Sequence, residues 1–198
     1  MGVNERKKRE HVAFQAFLAK EAYRLIEKKG LESLSMRTLA QQVEWSTQKL
    51  YSTFRNKERL LHAVAEYLRG RLWELLSTAP KTGDSVEDLI QLSMLSIHFF
   101  IQEPHAFEVL LHTHYEPDAK AQEKSSVLYE KAFRVVHCSS LRTDADVQTA
   151  LQIIRFFVAG AISSILRTKD PKEHRSLIRS VDTGLRTLLR GWGAFEDA

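Results

Sequence analysis

The chain has 198 residues, 43% of them hydrophobic and 27% charged, with a formal net charge of +4. That composition excludes a disordered polyampholyte and leaves room for one good core or for a small head joined to a larger body. A single cysteine, Cys138, excludes an intrachain disulfide and a thiolate metal cluster and fits a reducing compartment. Only four prolines and eight glycines occur, and no apolar alternation of period two is sustained, so the pattern is all-α with about nine helices.

In chain order, Phe14, Phe17, Leu18, Ala22, Leu25 and Ile26 keep helical spacing, and Lys28-Lys29-Gly30 supplies a cationic last turn and a glycine stop. Ahead of them, Arg6-Lys7-Lys8-Arg9 is either a basic arm along a polyanionic partner or a disordered tail. Met36 to Val43 reads as a second helix behind a Ser35 cap, and Ser46 or Thr47 caps a third that ends near Phe54. Asn56 caps a fourth helix running towards Ser77, and 79–84 (APKTGD) breaks it. Asp84 or Ser85 opens a fifth helix to about Gln102, Pro104 a short sixth, and Pro117 a seventh ending near His137. A loop at 141–144 caps an eighth helix to about Lys169, and Pro171 starts a ninth that stops before Gly191.

Charge is partitioned along this order. Residues 1–71 hold 15 Lys and Arg against 8 Asp and Glu, and 72–198 hold 14 against 17. A basic first third points to a polyanion for that part alone. Within it, 35–61 (SMRTLAQQVEWSTQKLYSTFRNKERLL) reads as helix, tight turn, short second helix and capped third helix. Leu39, Val43, Trp45, Leu50 and Phe54 are the apolar residues of the crossing, and Ala40 permits close approach. Around Leu50 the short helix presents Thr47, Gln48, Lys49, Ser52 and Thr53, the amide, hydroxyl and amine groups suited to base edges in a major groove. At the next helix start, Arg55 and Lys57 stand where free N–H groups favour a phosphate.

Residues 22–61 resemble the TetR family of transcriptional regulators: a helix ending in Gly, a Thr-containing loop, Leu-Ala, a turn, Leu-Tyr-x-x-Phe and Lys-Glu-x-Leu-Leu. The resemblance implies that Tyr51 and Lys57 hold phosphates, that Thr47, Gln48 and Lys49 approach bases, and that Arg37 or Thr38 touches backbone. Ser46 and Thr53 complete the expected DNA-binding set. Two positions depart from the family pattern. Glu44 stands where glycine is usual, and Gln48 where a small residue is common. The resemblance also implies a homodimer formed through the last two helices, for which the expected interface is Phe157, Ala161, Ile165, Leu177, Val181, Leu185 and Leu188.

The expected division is a DNA-binding domain at 1–56, a connecting fourth helix at 57–78, and an effector-binding and dimerisation domain at 79–198. For the effector, a small anionic or acyl molecule, the expected lining is Trp73, Met94, His98, Phe107, Tyr129, Phe133, Arg155 and Phe156: aromatics with a few polar anchors. Arg155 is singled out because a charge in an apolar helix needs a counter-charge. His105, Glu108 and His112, with His114 and Glu116 nearby, are a weaker metal alternative; no cofactor is expected. The apolar stretch from Ile153 to Leu166 is shorter than the roughly 20 residues a bilayer requires, and no signal peptide is read, so the expected location is cytoplasmic with no membrane partner. No nucleophile–base pair or phosphate loop suggests an enzyme. Two functions fit: a repressor released from a near-palindromic operator by its effector, or a DNA-bound scaffold of the same fold that recruits a protein.

Overall fold

The computed structural model describes residues 3–113 and 129–194, and among these all regular structure is helical. The helices are α1 (Val3–Lys29), α2 (Met36–Gln42), α3 (Thr47–Phe54), α4 (Lys57–Ser77), α5 (Ser85–Gln102), α6 (Pro104–His112), the described end of α7 (129–135), α8 (Asp144–Arg167) and α9 (Pro171–Gly191), with a short 3-10 turn at Leu31–Ser33. The expected α7 start at Pro117 lies outside the described residues. At the N-terminus the outcome differs from the expected boundary: Arg6 to Arg9 do not precede the first helix but lie inside α1, which begins at Val3. Extending an existing helix avoids the costly nucleating turn, so a charged, alanine-poor segment can continue one.

The chain forms two compact units. Among the described residues, the first comprises 3–71 and 103–113, and the second 72–102 and 129–194. These units cut the chain elsewhere than at 56 and 78: most of α4 and all of α6 belong with the head.

In the first unit, Gly30 adopts φ 80 and donates its N–H to the Ile26 carbonyl at 2.7 Å, ending α1. The turn that follows buries Leu31 and Leu34 and packs on α1. The short helix α6, opened by Pro104 at its first turn, buries Ala106 and Val109 and packs on that turn. Just before α6, Glu103 receives a two-pronged bond from the Arg71 guanidinium, with Nη1 to Oε2 at 2.6 Å and Nη2 to Oε1. Arg71 also lies over the Tyr67 ring, 5.8 Å from its centroid. Tyr67 in turn neighbours Tyr23, whose ring is 6.3 Å away.

Tyr23 is buried in this first unit, and its hydroxyl has no hydrogen-bond partner among the described residues. Burial first, and then the nearby Glu103 carboxylate, hold the phenol well above its ordinary range. An enclosed, unsatisfied hydroxyl costs about 1–3 kcal/mol. Tyr23→Phe should therefore raise the urea midpoint, by roughly 1 kcal/mol of stability, and a lowered midpoint would mean that the hydroxyl has a partner.

The second unit packs α5, α8 and α9 pairwise. Asp84 caps α5 by accepting from the Val86 and Glu87 N–H groups at 2.8 and 3.2 Å. Thr143 and Asp146 form a reciprocal capping box at the start of α8. The buried stripe of α8 is Ala150, Leu151, Ile154, Val158, Ile162 and Ile165, and that of α9 is Val181, Leu185 and Leu189. Gly184 sits mid-helix despite a propensity cost of about 1 kcal/mol relative to alanine. A Cβ there would come within 2.3 Å of Phe157 Cζ, so the ring occupies the space a side chain would need. Arg186 joins α9 to α5 through Glu87 at 2.8 Å while pairing with Asp182 on its own helix at 3.0 Å. The whole of α8, 24 residues, is longer than its apolar stretch and is long and apolar enough to cross a membrane by length and composition alone.

Candidate DNA-binding surface

The surface is built from α2, the turn after it, and α3. Ser35 accepts from the Thr38 N–H at 3.0 Å while its own N–H donates to Thr38 Oγ1 at 2.9 Å, closing a capping box with threonine in the place usually held by Glu or Gln. Thr38 Oγ1 also lies 2.9 Å from the Ser33 carbonyl. Its hydroxyl is thus engaged at the helix start, which leaves Arg37, exposed on the same turn, as the available backbone-contacting side chain of that pair.

Helix α2 ends in a Schellman closure. Trp45 donates to the Ala40 carbonyl at 2.9 Å and Glu44 to that of Gln41 at 3.4 Å, with Glu44 at φ 57. Glutamate therefore holds the left-handed position expected of glycine. Trp45 does not fill the helix crossing as expected; it is 40% exposed and stacks on Phe14 of α1, centroids 4.6 Å apart. Leu39, Ala40, Leu50 and Phe54 make the crossing without it.

Ser46 caps α3 by accepting from the Lys49 N–H at 3.2 Å. Leu50 and Phe54 face inwards, and Thr47, Gln48, Lys49 and Tyr51 face solvent, Tyr51 at 52% exposure. The Lys49 ammonium lies 5.4 Å from the Phe14 ring centroid. Thr53 is half-buried and donates to the Lys49 carbonyl at 3.0 Å, as Ser52 does at 2.7 Å, so neither hydroxyl donor points outward. A second left-handed residue, Arg55 at φ 64, ends α3, and the Asn56 side chain then caps α4 through the Arg59 N–H at 2.9 Å. This places exposed Lys57 at the first residue of α4. Sequence reasoning missed the Arg55 turn, for which the only signal was the two-residue gap between two capped helices.

A profile described as bacterial regulatory proteins, tetR family, matches residues 18–64. Residues 18–64 therefore carry a TetR-family N-terminal domain. The match runs from α1 through both left-handed turns into α4. Solved structures share the fold across nearly the full length. One is a possible TetR-family transcriptional regulator from Streptomyces coelicolor, with 21% identity, TM-score 0.68, and coverage of 91% of this chain and 98% of that one. A TetR variant from Acinetobacter baumannii in complex with minocycline is 19% identical, with TM-score 0.66 and coverage of 91% and 97%. The Streptomyces coelicolor protein ActR in complex with (S)-DNPA is 17% identical, with TM-score 0.65 and coverage of 90% and 96%. No curated relative matches the sequence.

The residues of the expected effector lining are divided among buried, half-buried and exposed positions. Phe107 belongs to α6 in the first unit, and the other seven belong to the second. Phe133 is core, edge-on to Trp192 at 6.0 Å. Arg155 and Phe156 are exposed, Phe156 at 67%, because they lie about 100° and 200° around α8 from buried Ile154. Arg155 therefore needs no buried counter-charge. His98 is exposed too, with Nδ1 2.8 Å from the Met94 carbonyl. Half-buried positions are Trp73, Met94 and Tyr129. The Tyr129 hydroxyl sits 2.6 Å from Ser96 Oγ and donates to the Leu92 carbonyl at 3.0 Å, and burial pushes its pKa up to about 12.

Three of the seven expected interface residues, Ile165, Val181 and Leu185, are buried within this chain, where α8 meets α9 and α5. Phe157, Ala161, Leu177 and Leu188 remain half-exposed. The metal alternative also fails to assemble. Glu108 pairs with His105 at 3.1 Å, and among the described residues no three His, Cys, Asp or Glu side chains converge. His114 and Glu116 lie outside the described residues.

A residue with a Cβ in the left-handed region costs about 1 kcal/mol relative to glycine. Glu44→Gly should accordingly raise the thermal midpoint of the head, and an unchanged or lower midpoint would show that the glutamate side chain is itself stabilising.

Proposed function

We propose that this TetR-family regulator is a repressor that sits on a near-palindromic operator as a homodimer and leaves it when a small molecule binds the second unit. The observation that carries the DNA-binding half is α3, a helix anchored by fully buried Leu50 with a polar, exposed N-terminal turn at Thr47, Gln48 and Lys49. In this reading Gln48 and Lys49 read base edges, and Arg37, Tyr51 and Lys57 hold phosphates on either side. Ser46 and Thr53 contribute position, since their side chains already serve the helix, and Thr38 acts through the cap of α2. Lys49→Ala with Tyr51→Ala should abolish specific binding to the protein's upstream DNA in a gel-shift titration while leaving its oligomeric state intact. Specific binding that survives the double change would move the recognition surface elsewhere.

The ligand-release half draws on fold relatives bound to minocycline and to (S)-DNPA. In this reading its site includes half-buried Tyr129 on α7, whose hydroxyl meets α5 at Ser96. A regulator acting on chromosomal DNA is cytoplasmic in this reading.

For the homodimer, the outward faces of α8 and α9 are proposed: Ile153, Phe156, Phe157 and Ala161 on α8, Leu177 and Leu188 on α9. Support comes from Phe156, an exposed aromatic beside exposed Ile153 and Gly160, where a second helix could approach closely. Burying one phenylalanine is worth about 2 kcal/mol, and two-fold symmetry doubles it. Phe156→Glu should weaken self-association at least a hundredfold in sedimentation while helical content stays unchanged. A variant that remains dimeric would exclude this face.

A further inference from the structure

Residues 5–13 of α1 are all exposed, including Val12 at 57%, so about three helical turns stand clear of the first unit's core. The charges on these turns are Glu5, Arg6, Lys7, Lys8, Arg9 and Glu10, with His11 beside them. Arg6 is paired with Glu10 at 2.8 Å, whereas Lys7 and Lys8 have no ion pair among the described residues. These turns are continuous with the surface that presents α3. Phe14 stacks on Trp45 at 4.6 Å, Phe17 lies 6.1 Å from the same ring, and the Lys49 ammonium sits 5.4 Å from the Phe14 centroid. Helical geometry puts residues seven apart on nearly the same face, so Lys7 is aligned with Phe14, about 10 Å further along the axis.

Resting on the reading of α3 as the recognition helix, we propose that the N-terminal turns of α1 are a second DNA-contacting element, in which Lys7 and Lys8 hold the phosphate backbone beside the groove that α3 enters. The occupant follows from position and charge together. The cations begin at the edge of the recognition surface, and the aromatic stack of Phe14 on Trp45 fixes the direction in which they leave it. Contacts of this kind add affinity without sequence information, and each phosphate neutralised contributes about 0.9 to the slope of log affinity against log salt.

The test uses the full chain carrying Lys7→Gln and Lys8→Gln, substitutions that keep a good helix former at both sites, with circular dichroism as the check on folding. Affinity is measured from 50 to 200 mM KCl for two duplexes of equal length, one from the protein's own upstream region and one of random sequence. The expected result is a slope shallower by about 1.8 for each bound head and a loss of roughly ten- to thirtyfold at 150 mM, equal on both duplexes. Unchanged slopes overturn the proposal. So does a loss confined to the upstream duplex, or a variant that detaches from phosphatidylglycerol vesicles yet binds DNA as before. The Lys49→Ala, Tyr51→Ala variant run alongside separates the two readings: if it keeps specificity while the Lys7, Lys8 variant still loses affinity on both duplexes, the α3 assignment fails and the α1 contact stands.

Discussion

The head depends on one backbone reversal, at Glu44 and Trp45. The Trp45 N–H reaches back to the Ala40 carbonyl, and Glu44 takes a left-handed conformation to allow it. This closure satisfies carbonyls at the end of α2 that would otherwise be left bare, and it sets the angle at which the chain enters α3. From that angle Leu50 and Phe54 turn inwards while Thr47 to Lys49 turn out. It also carries Trp45 onto Phe14, so α1, the turn and Lys49 share one stacked edge. A glutamate held where glycine would be free is a local cost of about 1 kcal/mol, met by the contacts it makes possible on both sides.

The same unit reaches beyond the three helices that the sequence motif covers. Helix α6, far along the chain, buries Ala106 and Val109 on the turn after α1, and Arg71 on α4 grips Glu103 at its start. Helix α4 continues past Arg71 without a break and supplies the first residues of the second unit. Thus the element that begins at Lys57, on the proposed DNA face, is tied to the start of α6 by a charge-assisted pair and leads on as one helix.

Much of the fold was legible because helix ends carry local signals. Ser35, Ser46, Asn56, Asp84 and Thr143 all cap as their residue types suggest, and the two prolines at 104 and 171 stand at first turns. Helix α3 was legible for the same reason: its period, cap and exposed polar face lie within the nine consecutive residues from Ser46 to Phe54. What misled was composition read without direction. Arg6 to Arg9 looked like a segment ahead of the first helix because a charge run has no period to show it is helical. Arg155 and Phe156 looked like a pocket pair because an apolar helix was taken as buried all round. Ile165, Val181 and Leu185 have the pattern of an interface stripe, but a stripe records only that something covers it.

The sequence by itself determined the helices, their caps, the basic head and that head's family resemblance, since each rests on neighbours a few residues apart or on a contiguous motif. Only the tertiary structure decided which face of α8 and α9 turns inwards, which unit receives α6, and where Trp45 goes. Those outcomes follow from packing between segments distant in sequence, where α5 selects the stripe it buries and Phe14 selects the ring it stacks on. Local periodicity is blind to that choice, because it defines an apolar face without naming the surface that will cover it.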